Sequence, residues 1–186
     1  RTGELNKAIE LSAPIIEGIE QFGDRLHKEH QLEFYLTLAT VHFGANEVNK
    51  ALFWLNKVLN DTEPTLRQDI FIYARLFNLV IHYELGNYDL LEYIVRSTHR
   101  FLNKRHRAHQ METLLIESIK KLARATQPQA KRDLYVALHD SLRELVNDPH
   151  EGTVLNYFDF LSWAESKVKG ISYAEVVRSR VRKAAS

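Results

Sequence analysis

Apolar residues recur along this chain at the spacing of an α-helix, in stretches of about 20 residues that end at Gly or Pro. In one stretch Leu32, Leu36 and Ala39 follow at steps of four and three, which places them on one helix face. No segment alternates apolar and polar residues with the period of two that a half-buried strand requires. The pattern predicts helices over residues 4–22, 25–44, 46–60, 65–85, 87–104, 106–125, 128–147, 150–168 and 172–183.

Local chemistry supports several of these boundaries. Thr65 with Gln68, and Ser172 with Glu175, have the spacing of a capping box, in which each side chain satisfies a backbone donor at a helix start. Pro14 falls inside the first predicted helix, and we expect it to kink or split that helix.

Composition narrows the class of protein. The 186 residues are 45% hydrophobic and 26% charged, as in a globular protein, and seven Gly and four Pro are too few for the turns of an all-β fold. The predicted fold class is therefore all-α. A net charge of +1 indicates no partner, and the absence of Cys excludes disulfides, thiolate metal sites and cysteine nucleophiles. We expect a cytoplasmic protein, because that composition fits a reducing compartment and no apolar run approaches the ~18 residues of a membrane helix.

A short pattern occurs three times, over residues 3–9, 46–52 and 86–92. Its anchor positions Ala8 and Ala51 are 43 residues apart, and Leu91 follows 40 residues later. The preceding helices match at the second offset, since His42-Phe43 falls on His82-Tyr83. A period of this length, built from helix pairs, predicts an α-solenoid in which each pair packs against its neighbours.

The repeated residues resemble the tetratricopeptide family, in which a helix with spaced rings and small residues is followed by a turn and a second helix. The positions that fit are Tyr35, Leu38, Ala39, His42, Ala51, Leu55, Val58 and Pro64. The next unit keeps Gly86-Asn87-Tyr88 but has Arg75, Asn78 and Leu79 where apolar and small residues are expected, and the period is longer than the family's. The resemblance implies a divergent array over residues 1–104, extended to 147 by helix length alone.

The expected organisation is a superhelix of antiparallel helix pairs over residues 1–147, with capping helices of the same domain over 148–186. The whole chain resembles the carboxyl-terminal part of bacterial helical-repeat proteins. Because the first helix corresponds to the second helix of a pair, we expect a truncated first repeat with an exposed apolar face. A longer chain that includes the missing helix should then melt at a higher temperature.

The resemblance also implies a ligand groove on the concave face of the first helices. The residues that map to this face are Glu33, Thr40, Phe43, Tyr73, Val80 and Tyr83. Rings and polar groups together suit a bound peptide, although core packing explains the rings equally well. Arg75, Asn78 and His82 recur along one stripe of a helix that is otherwise apolar all round. They form either a satisfied structural network or the polar floor of the groove.

A basic stripe is the second candidate surface. Arg96, Arg100, Lys104, Arg105 and Arg107 occur with no acid between Glu92 and Glu112. The stripe could be a solvated face, a site for an acidic protein, or a nucleic-acid site. The near-zero net charge disfavours nucleic acid.

Residues typical of enzymes and metal sites occur without the required spacing. His27, His30 and Glu33 follow at steps of three, which turns the ligands away from one another, and neighbours such as His139 and Asp140 cannot form a proton relay. No phosphate-binding glycine loop or nucleophile elbow is present. We therefore predict neither an enzyme nor a bound cofactor or metal.

The function that the sequence predicts is a scaffold that binds a peptide or protein segment in the concave groove. The alternative is a nucleic-acid-binding or regulatory module that uses the basic stripe 96–107.

Overall fold

A computed structural model describes residues 5–63, 66–104, 110–147 and 157–184. Within these ranges the protein is helical and contains no strand, which confirms the all-α class. The helices are α1 (Leu5–Phe22), α2 (Lys28–Gly44), α3 (Val48–Leu59), α4 (Gln68–Glu84), α5 (Tyr88–Asn103), α6 (Gln110–Arg124), α7 (Pro128–Leu145), α8 (Phe160–Lys169) and α9 (Tyr173–Ala184). None of the helices in the described part of the chain is both long and apolar enough to cross a membrane.

Most predicted helices are found within a few residues of their expected bounds. The expected start at residue 25 is wrong, because Gly23–Arg25 forms a separate 3₁₀ turn and Leu26 is extended before α2. Pro14 does not split α1, which runs through it.

The largest correction concerns α8, which was expected from residue 150. It begins at Phe160, because the carboxylate of Asp159 accepts hydrogen bonds from the Ser162 backbone nitrogen at 2.8 Å and from its hydroxyl at 2.6 Å. An acid that satisfies free donors in the first turn defines a helix start. Residues 148–156, where the earlier start was expected, lie outside the described residues.

The capping box before α9 is confirmed. The Ser172 backbone nitrogen donates to the Glu175 carboxylate at 2.8 Å, and the Glu175 backbone nitrogen donates to the Ser172 hydroxyl at 3.2 Å. Thr65, the first residue of the other predicted box, lies outside the described residues, and Gln68 is the first residue of α4.

The turn between α2 and α3 has a specific geometry. Asn46 adopts a left-handed conformation with φ of 64°, and the Glu47 backbone nitrogen donates to the His42 carbonyl at 2.8 Å. The His42 ring then reaches the Glu47 carboxylate at 2.7 Å. The turn therefore ends one helix and begins the next with the same residues.

The turn between α4 and α5 repeats this geometry 40 residues later. Gly86 is left-handed with φ of 71°, and the Asn87 backbone nitrogen donates to the His82 carbonyl at 3.0 Å. The Asn87 side-chain amide donates to Nδ1 of His82 at 3.1 Å. The two turns share backbone bonds and a histidine contact, so the internal repeat predicted at this offset is confirmed.

Helix α4 lies at the centre of the fold, where it contacts α2, α3, α5 and α6. Its residues from Ile70 to Ala74 are all buried, which follows from a sequence that is apolar around most of the helix. Each of the other helices contacts its neighbour in the chain, and one apolar core extends from Ile19 in α1 to Ala164 in α8.

Helix α1 has two apolar faces. Ile19 packs into the core, whereas Leu11 is 66% exposed and Ile15 and Phe22 are exposed on the other side. Residues 11, 15 and 22 are separated by four and seven positions, which places them on one stripe. The exposed apolar face predicted for the first helix is confirmed.

Candidate binding surfaces

The face predicted as a ligand groove is covered by the chain itself. We call residues 157–173 the covering segment. Phe43 of α2 meets the ring of Phe158 at 5.1 Å and that of Tyr173 at 5.8 Å, and Phe77 of α4 stacks on Phe158 at 4.2 Å. These centroid distances are those of packed aromatic pairs. The inner faces of α2 and α4 are therefore joined through the covering segment.

The same segment covers α4 along its length. Tyr73 packs against Tyr157 at 4.7 Å, and Tyr83 contacts Trp163 at 6.3 Å. The hydroxyl of Tyr135 in α7 donates to that of Tyr83 at 2.9 Å in a buried setting. Burial raises the pKa of both of these tyrosines. The rings expected to contact a peptide belong to the core.

Other predicted groove residues are also engaged within the protein. Val80 is fully buried, and Glu33 binds the guanidinium of Arg67. The Thr40 hydroxyl donates to the Leu36 carbonyl at 3.0 Å. The expectation of an open groove on this face is wrong, because aromatic residues beyond position 156 bury it more completely than a polar cap would.

A polar cluster holds the start of the covering segment. The guanidinium of Arg67 binds Glu33, Asp69 at 2.8 Å and the Tyr157 hydroxyl at 2.7 Å. Hydrogen bonds from Arg67 lower the pKa of both carboxyls, while burial, and then the charge of Asp69, raise the pKa of Tyr157. Sequence reasoning missed this cluster, since its members are far apart in the chain.

A second polar contact holds the segment at the other end of α4. Glu84 accepts a hydrogen bond from Nε1 of Trp163 at 2.7 Å and from Nζ of Lys167 at 2.6 Å. Trp163 is 1% exposed, so its N–H needs this internal acceptor.

The predicted polar stripe of α4 is not one network. The guanidinium of Arg75 lies over the Phe101 ring at 4.3 Å, while His82 bonds to Asn87 in the turn. Burial lowers the pKa of both Arg75 and His82. Among the described residues, Nε of Arg75 and Oδ1 of Asn78 have no hydrogen-bond partner. The stripe therefore contributes packing and a turn contact rather than a continuous polar floor.

An open cleft lies between α5 and α6. It has a volume of about 510 Å³, and its floor is formed by apolar side chains, namely Leu91, Val95, Ile119 and Ala123. Two ion pairs cross between the helices: Arg124 to Glu92 at 2.7 Å, and His99 to Glu117 at 3.4 Å. Hydrogen bonding to Arg124 lowers the pKa of Glu92.

Two cations lie between these ion pairs and line the same cleft. Arg96 is exposed and has no ion pair with any residue in the described part of the chain. Lys120 is 3.5 Å from Glu117, a loose contact on its own helix. Sequence reasoning identified Arg96 but missed Lys120 and Arg124, whose spacing on α6 matches that of the charges on α5.

The basic stripe is partly described. Arg96, Arg100 and Lys104 are exposed along α5 and form no ion pair with the residues that the structure describes; Arg105 and Arg107 lie outside those residues. We call the three described cations the basic row. Tyr93, which is 62% exposed, lies three residues before Arg96 on the same side of the helix.

The described residues contain no group of three or more histidines and carboxylates that could hold a metal ion. No protein-family model, no curated protein and no solved structure matches this chain.

Proposed function

We propose that this protein is an interaction module, built from divergent tetratricopeptide-like helix pairs, that binds an acidic segment of a partner protein along α5. The observation that supports this proposal is the basic row, whose three exposed cations have no acidic partner among the residues described. Unpaired surface cations of one sign attract a segment of opposite charge and increase its association rate.

The residues beside the row suit a protein partner. Tyr93 and Leu90 are exposed on α5, at 62% and 45%. Tyr and Arg are the residue types that contribute most to binding at protein interfaces, because a ring buries a large area and a guanidinium binds carboxylates in a fixed geometry. A segment with acids and an apolar residue would match this arrangement.

The proposed surface replaces the predicted groove. A peptide on the inner faces of α2 and α4 would have to displace Phe158 and Trp163, which are each 1% exposed. Displacing two buried rings costs several kcal/mol. The outer face of α5 is open, so binding there requires no rearrangement of the core.

A fluorescence-anisotropy titration tests the proposal. The probe is a labelled 12-residue peptide of Glu and Asp with one central Phe, at physiological salt. We expect binding that Arg100→Glu combined with Lys104→Glu weakens at least about tenfold, because two favourable contacts become repulsive. The matched control is Arg178→Glu with Arg182→Glu, the same charge change on the exposed face of α9.

Two outcomes would overturn the proposal. One is an equal loss for both double variants, which would mean that only net charge matters. The other is tighter binding of a single-stranded RNA of equal charge, lost in the α5 variant, which would favour the nucleic-acid alternative.

A further inference from the structure

We propose that the α5–α6 cleft binds a phosphate group on an apolar stem, as in a phosphotyrosine side chain, between Arg96 and Lys120. The inference rests on the proposed function, because the phosphate is that of a modified residue in the partner segment. It adds a defined site to a basic surface.

The register of the two helices locates this site. Glu92 pairs with Arg124 and His99 pairs with Glu117, so a step of seven residues forward on α5 corresponds to seven residues backward on α6. The helices are therefore antiparallel at this point. Arg96 is four residues after Glu92, and Lys120 is four residues before Arg124, so both lie at the same level.

The charges across the cleft follow an uneven order. The outer levels each join an acid and a base, whereas the middle level places Arg96 opposite Lys120. Like charges that face each other destabilise a helix pair unless an anion lies between them. Because Glu92 and Glu117 already bind Arg124 and His99, the middle level has the largest unmet demand for negative charge.

A phosphate meets this demand better than a carboxylate. Near neutral pH a phosphate monoester carries about −1.5 to −2 charges and three acceptor oxygens, so it can bind a cation on each side at once. The Arg96 guanidinium can donate two parallel hydrogen bonds, and the Lys120 ammonium can donate from the opposite helix.

The shape of the cleft indicates what is attached to the phosphate. The volume of about 510 Å³ is much larger than an inorganic ion requires, since one water occupies roughly 30 Å³. Beneath the two cations the floor is apolar, and the ring of Tyr88 lies at one end. A ring joined to the phosphate would cover these apolar groups and gain from their burial.

The test is a ¹H–¹⁵N NMR titration of the full chain with phenyl phosphate at pH 7.5 and constant ionic strength. Benzoate, which has the same ring with a single charge, is the comparison ligand, and inorganic phosphate reports binding without the ring. We expect saturable shifts at the amides of Val95 and Ile119, with phenyl phosphate binding about tenfold more tightly than either comparison ligand.

Variants decide whether the two cations hold the ligand. Arg96→Gln and Lys120→Gln should each weaken phenyl phosphate at least about tenfold, while Arg100→Gln, outside the cleft on the same helix, should change the affinity less than twofold. Both side chains in the cleft are solvent-accessible, so the urea midpoint should be unchanged.

Three results would overturn the inference: no saturable shift, equal binding of benzoate, or an equal loss in Arg100→Gln. If the acidic peptide binds and phenyl phosphate does not, the cleft site is wrong and the proposed function stands. If phenyl phosphate binds with the expected variant pattern and the peptide does not, the cleft site stands and the peptide surface is wrong.

Discussion

The indole nitrogen of Trp163 donates a hydrogen bond of 2.7 Å to the carboxylate of Glu84, and it does so across 79 positions of the chain. Trp163 is almost fully buried, so this bond joins the covering segment to the end of α4. The same carboxylate binds Lys167 at 2.6 Å, one helical turn further along α8. The contact explains how the covering segment stays against the face that the sequence predicted to be open.

Removing this acceptor should destabilise the protein. We expect Glu84→Ala to lower the free energy of unfolding by about 1–3 kcal/mol, because the buried Trp163 N–H loses its partner. Glu84→Gln retains an acceptor oxygen and should cost less. Urea unfolding measures both, with Glu144→Ala on the exposed face of α7 as the control. An equal loss for the two alanine variants would contradict the structural role of Glu84.

The cluster around Arg67 should make stability depend on pH. Hydrogen bonds from Arg67 lower the folded-state pKa of Glu33 and Asp69. A lowered folded pKa adds stability above the unfolded pKa, which is about 4, and this stability is lost as the pH falls through the folded value. We expect wild type to exceed Arg67→Met in stability by a constant amount from pH 7 to about 5, and by less below that. Urea unfolding across this range checks it; a difference that persists unchanged at pH 3 would rule it out.

The repeated turn predicts opposite effects for two glycine substitutions. Gly86 has φ of 71°, and no atom lies within 4 Å of an added Cβ, so backbone strain alone should make Gly86→Ala lose about 1–2 kcal/mol. Gly18 also has open space around it but lies within α1, where Ala is the better helix former, so Gly18→Ala should gain about 0.5–1 kcal/mol. Thermal unfolding distinguishes them. Changes of the same sign would contradict this account.

The exposed face of α1 predicts a contrast between two leucines. Leu55 is fully buried, so Leu55→Ala should lower the free energy of unfolding by about 2–5 kcal/mol, whereas Leu11, 66% exposed, should lose less than about 0.5 kcal/mol. Chemical denaturation at two protein concentrations measures this. A large, concentration-dependent loss for Leu11→Ala would mean that a second copy covers α1.

Helix positions were predictable because their signals are local. The capping box of Ser172 with Glu175 and the turn residues Asn46 and Gly86 act within a few positions of the chain, and amphipathic periodicity depends only on helix geometry. The late start of α8 was missed although Asp159 provides an equally local signal. Hydrophobic periodicity through residues 150–159 outweighed that signal in the prediction.

The groove residues were placed wrongly for a different reason. A ring on an apolar helix has the same pattern whether it faces a ligand or the core, so Tyr73 and Tyr83 could not be assigned from periodicity. Their neighbours Tyr157 and Trp163 come from residues far along the chain. Only the path of the chain brings them together.

The amino-acid sequence alone therefore determined the helices, the 40-residue repeat and the second apolar face of α1, because helix formation, capping and left-handed turns depend on neighbouring residues. The tertiary structure decided that the covering segment closes the inner face of α2 and α4, and that Arg96 and Lys120 share one level of an open cleft. These relationships depend on the packing register between helices, which arises from many weak apolar contacts at once and has no short-range signal.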